Sequence, residues 1–103
     1  MSSEETWAQL RDLEHALHTI TIQRQAHESQ LAETDHAVKA LPASGDAWRV
    51  IGNIMVKRDA VTLRAELTEK RVALKSRSDA IARQEKELRE KLTTLQATAV
   101  QGE

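Results

Sequence analysis

At 103 residues the chain has room for one domain, yet it lacks the bulk a compact core uses: there is no Phe, no Tyr, and Trp only at Trp7 and Trp48. Charged residues make up 30% at a net charge of −1, a composition of long helices with no charge excess to argue for nucleic acid or an anionic membrane. No cysteine is present, which excludes disulfide staples and thiolate metal sites.

The opening Met-Ser-Ser-Glu-Glu is acidic, and no apolar run approaches the ~20 residues of a membrane span. The expectation is a soluble, cytoplasmic protein without membrane attachment. Ser2 and Glu5 then stand at capping-box spacing for the start of a helix. From there to Leu41 the apolar residues keep a strict 3,4 spacing. Leu10, Leu17, Arg24, Leu31 and Val38 form one series, and Leu13, Ile20, His27, Thr34 and Leu41 the other. A repeat held over more than four heptads is a coiled-coil seam rather than the broad face of a globular helix. Pro42 ends it, because the residue before a proline is pushed out of the helical region.

Between the helices, Pro42, Gly45 and Gly52 fall in one short stretch, and residue type changes abruptly to β-branched and apolar. Ala47 to Ile51 and Ile54 to Lys57 read as strands. Gly52-Asn53 reads as the two-residue turn of a hairpin, since both residues tolerate positive φ. One face of that hairpin carries Trp48, Val50 and Met55, the other Ile51, Ile54 and Val56. A two-stranded hairpin that is apolar on both faces is marginal in water. It must be covered, either by other chains through its edges or by the chain's own helices.

Asp59 is a plausible N-cap for the second helix, in which Leu67, Leu74, Ile81, Leu88 and Leu95 recur every seven residues. The alternate positions Arg71, Ser78 and Glu85 are polar, before Leu92 and Ala99. Each helix would be roughly 55 Å long at 1.5 Å per residue. A turn at Gly52-Asn53 sets Ile51 against Ile54. Continued down the helices, the same register sets Val38 against Leu67, Leu17 against Leu88 and Leu10 against Leu95. Arg24 falls level with Ile81 and His27 with Ser78, which reads as a wet, weak zone in mid-coil. The predicted fold is mainly α: a long antiparallel two-helix coiled coil joined by a single β-hairpin. It forms one domain over 1–103, with helices at about 4–41 and about 60–100 and the hairpin at 47–57.

The stretch from Leu41 to Leu95 resembles the β-type subunit of prefoldin. The residues that carry the resemblance are Leu41-Pro42, Trp48-Arg49, Val50-Ile51-Gly52, Ile54, Val56-Lys57, Glu66-Leu67 and Arg83-Gln84-Glu85-Lys86. Trp48 stands where tyrosine or phenylalanine is usual. The resemblance implies a hexamer of two α-type and four β-type subunits whose hairpins pair into a double β-barrel. It implies an ATP-independent holdase that captures unfolded client proteins between its coil tips and hands them to a group II chaperonin. The assembly hairpin would then be Trp48, Val50, Ile51, Gly52, Asn53, Ile54, Met55 and Val56. The client-binding tips would be Trp7, Leu10 and Leu13 with Leu92, Leu95 and Val100. A hydrophobic end-plug is the other reading of the tips. A structural or adaptor coiled-coil oligomer serving a fixed partner is the alternative function, separable by whether unrelated denatured proteins are protected.

No nucleophile with a base, glycine-rich phosphate loop or paired buried carboxylates is recognisable, so neither enzymatic activity nor a cofactor is expected. His15 and His18 are three apart but lack a third ligand, which argues against a metal. The basic residues Arg64, Lys70, Arg71, Lys75 and Arg77 are interleaved with Glu66, Glu69 and Asp79, the pattern of a solvated helix face rather than a nucleic-acid surface.

Overall fold

The structure is a computed structural model that describes residues 3–101. Ser2, half of the expected capping box, lies outside the described residues. In chain order the elements are helix α1 (Ser3–Ala40), strand β1 (Asp46–Ile51), strand β2 (Ile54–Asp59) and helix α2 (Ala60–Gln101). The fold is two long helices in an antiparallel coiled coil joined by one β-hairpin.

Contacts divide the chain into two compact units. The first, Glu28–Ser76, contains the hairpin. Its strands pair antiparallel from Ile51↔Ile54 to Asp46↔Asp59, the register expected from the turn. Gly52 takes φ +59° and no non-glycine residue among those described has positive φ, so the turn uses Gly52 alone and not Asn53. That sign pattern belongs to a type II′ turn, whose first central residue is glycine. The strands run one residue earlier and two later than propensity marks, to Asp46 and Asp59. Pairing continues until the Ala60 N–H donates to the Gly45 carbonyl at 2.8 Å and closes the ladder. Gly45, at φ +92°, supplies the left-handed turn into β1 that a side chain would oppose.

Asp59 then caps α2. Its Oδ2 accepts the Thr62 N–H at 3.0 Å and the Thr62 hydroxyl at 3.1 Å, meeting one of the donors a helix start leaves open. Beneath the hairpin Ala47, Ala60 and Leu63 are buried together, with Leu41 and Leu67 packed against them. The hairpin base is therefore seated on the chain's own helices. Arg64 of α2 donates to the carbonyls of Leu41 (3.0 Å) and Pro42 (2.7 Å), satisfying groups just past the end of α1.

The second unit comprises residues 3–27 of α1 with 77–101 of α2. Leu10, Ile20, Ala99, Thr6 and Ser78 are its buried residues. In both units every seam position read from the 3,4 spacing is buried or half-buried. The same spacing extends one step further to Thr6, Leu63 and Ala60, all buried. Off the seam Ile22, Val61 and Val72 are more than half exposed.

The mid-coil polar residues are not a wet gap. Arg24 Nε donates to Glu85 Oε2 at 2.8 Å, between side chains 23% and 12% exposed. Arg89 adds a second contact to Glu85 Oε1 at 3.3 Å. An arginine side chain reaches past its level neighbour to the next turn, so polar seam positions become an interhelical ion pair. In the hairpin unit Arg71 meets Asp35 at 3.4 Å, and Thr34 donates back to the Gln30 carbonyl at 2.8 Å. Among the described residues no buried side-chain nitrogen or oxygen lacks a partner.

Candidate assembly and client-binding surfaces

Alternation along β1 and β2 sorts the hairpin side chains, and the observed register confirms the two faces. Val50 lies opposite Met55 with Trp48 two residues along, and Ile51 lies opposite Ile54 with Val56 two residues along. Trp48, Val50, Ile51, Ile54 and Met55 are each 54–66% exposed, and Val56 is half-buried. Gly52 and Asn53 are exposed at the turn. Five large apolar side chains open to water on one small hairpin form the kind of patch that marks an interaction surface. Beside it an open groove of about 470 Å³ is lined by Leu41, Pro42, Ala47, Trp48, Leu63 and neighbouring residues.

The expected tip residues divide by exposure. Trp7 is 50% and Val100 70% exposed, Leu13, Leu92 and Leu95 are half-buried, and Leu10 is 4% exposed within the seam. Leu13 and Leu95 share an open groove of about 520 Å³ with Gln9, Glu90, Lys91 and Thr94 among its walls.

Sequence reasoning missed the polar ties that hold the hairpin to α2. Arg49 of β1 and Arg58 of β2 share the face of Ile51, Ile54 and Val56, and both reach Glu66. The Arg58 guanidinium bonds Glu66 Oε1, while Arg49 Nη1 lies 3.6 Å from Oε2. Lys57 pairs with Asp46 across the opposite face at 3.0 Å. Of the basic residues of α2, Arg71 pairs with Asp35 of α1, and Arg64 is spent on backbone carbonyls.

Two carboxyls are held below their ordinary range. For Glu85 the main cause is the Arg24 hydrogen bond, opposed by burial and helped by Thr21 and Arg89. For Asp59 it is the Thr62 N–H, with the Thr62 hydroxyl second. Both are structural groups. Among the described residues no cluster of three or more His, Asp or Glu is placed to hold a metal ion, and no helix is long and apolar enough to cross a membrane.

A coiled coil with one apolar hairpin is the architecture of a prefoldin subunit, and a family model described as prefoldin subunit matches residues 4–101. The chain belongs to the prefoldin family and is a chaperone subunit of the β type. It is 34% identical over 92 residues to prefoldin subunit beta of Archaeoglobus fulgidus, covering 86% of this chain and 79% of the relative. The same identity and coverage hold for prefoldin subunit beta of Thermococcus kodakarensis. The crystal structure of the prefoldin beta subunit from Thermococcus strain KS-1 superposes with a TM-score of 0.82 at 31% identity, covering 94% of this chain and 88% of that one. Membership implies assembly with other prefoldin subunits.

Proposed function

We propose that this chain joins an α-type subunit and further β-type copies in a hexamer through its hairpin. The complex holds unfolded proteins without ATP in the cytoplasm and passes them to a group II chaperonin. The observation that carries the reading is the hairpin itself: Trp48, Val50, Ile51, Ile54 and Met55 stand more than half exposed in a chain whose own helices cover only the base at Ala47. A lone chain would keep that apolar area wet, and coverage by other subunits relieves it.

Client binding is assigned to the unit without strands, at Trp7, Leu10 and Leu13 of α1 and Leu92, Leu95 and Val100 of α2. Trp7 and Val100 supply the exposed apolar area, and fraying of the last turns adds the half-buried leucines. Adaptable side chains at a fraying end suit a binder of many sequences. Holding rather than transforming the client makes the chain a non-enzyme, and the whole of 1–103 acts as one domain. The test is light scattering from two unrelated denatured proteins diluted into buffer without nucleotide. The assembled complex should suppress the aggregation of both. Protection of neither, with tight binding to one folded partner, would make the chain a fixed adaptor.

A further inference from the structure

Glu66 stands six residues into α2 and faces the hairpin with both carboxylate oxygens engaged, one by each strand. Its partners Arg49 and Arg58 are diagonal neighbours on a single face of the sheet, the face that also carries Ile51, Ile54 and Val56. One carboxylate therefore serves two guanidiniums at the margin of an apolar surface. The three side chains are 31–40% exposed, so water screens them in the lone chain and the ties add little to its stability. The situation changes when another subunit covers that face. Two guanidiniums would then lose solvent beside buried isoleucines, and an uncompensated charge in that position is strongly unfavourable.

We propose that Glu66 is the counter-ion that allows the Arg49–Arg58 face of the hairpin to be covered by a neighbouring prefoldin subunit. It is a positioning residue for assembly rather than a support of the lone fold. This inference rests on the hairpin being the assembly surface. It explains why two arginines are placed on a face that is otherwise apolar. Paired to Glu66, they present an ion-paired margin beside Ile51, Ile54 and Val56 to the neighbouring subunit. Without Glu66 the same arginines would repel an apolar partner surface.

The test is a titration of the full chain with the α-type prefoldin subunit of the same genome, followed by sedimentation velocity, with helicity recorded for every variant. Glu66→Gln keeps the shape of the side chain and removes its charge. It should weaken assembly at least tenfold while the lone chain keeps its helicity and melting temperature. The triple change Arg49→Gln, Arg58→Gln, Glu66→Gln removes the stranded charges and should recover most of the lost affinity. Assembly of Glu66→Gln at wild-type strength would overturn the proposal. So would a triple variant as weak as Glu66→Gln, since the role would then be shape and not charge. Ile54→Asp serves as the control for the underlying reading: if it assembles normally, the hairpin is not the interface and this proposal falls with it. If Ile54→Asp fails to assemble and Glu66→Gln does not, the counter-ion role alone is wrong.

Discussion

Glu85 accepts from Arg24, Thr21 and Arg89 at the polar middle of the seam, and these bonds hold its carboxyl below the ordinary glutamate value. The unfolded chain therefore binds that proton more readily than the folded one. The stabilisation is complete above an unfolded value near ~4.3 and is lost as the pH falls through the lower folded value. Glu85→Gln should cost about 2 kcal/mol at pH 7, the worth of a hydrogen bond to a charged group. Urea unfolding at pH 7 and pH 3 tests this: the gap between wild type and variant should be clear at pH 7 and smaller at pH 3. Asp59, also depressed, adds acid sensitivity of the same sign in both proteins. The pair itself is hard to read in a sequence. Arg24 and Glu85 are 61 positions apart, and level pairing sets Arg24 against Ile81. Only the reach of the arginine side chain moves the contact by a turn.

At the scale of the element, the helix seam was legible because its 3,4 spacing depends on residue type within one segment. Leu10, Ile20 and Leu74 are buried as that spacing requires. Its outer limits were less legible, because Thr6 and Ala60 carry too little apolar bulk to announce themselves. The hairpin register was legible through Gly52-Asn53 and the alternation around it. The Glu66 fork was hidden because charge interleaving on α2 looks like any solvated face. Gly52 gives the sharpest test of the turn. A Cβ built there meets nothing within 4 Å, so the cost of Gly52→Ala is backbone strain at φ +59° alone. That strain should be about 1–2 kcal/mol, and less for Gly52→Asn, which visits this region more readily. Amide exchange at Ile51 and Ile54 should speed up in the alanine variant and remain closer to wild type in the asparagine variant.

At the scale of the whole molecule, the proposed function gives the two units different tasks. In the proposed reading the hairpin unit assembles, and the unit without strands grips clients. Trp7→Ser with Val100→Ser removes the two exposed apolar side chains among the proposed client-binding residues and leaves every assembly residue in place. The complex should keep its mass and lose most of its suppression of client aggregation. Equal protection by the variant would move the grip to the sides of the coils or to the barrel.

The most direct test of the central claim is sedimentation velocity on the complex formed with the α-type subunit, comparing wild type with Ile54→Asp. Ile54 is 66% exposed in the lone chain, so an aspartate there costs the monomer little. Buried against another subunit, the same carboxylate would cost several kcal/mol. Free subunits with wild-type helicity are the expected result, and a complex of unchanged mass and affinity would contradict assembly through the hairpin.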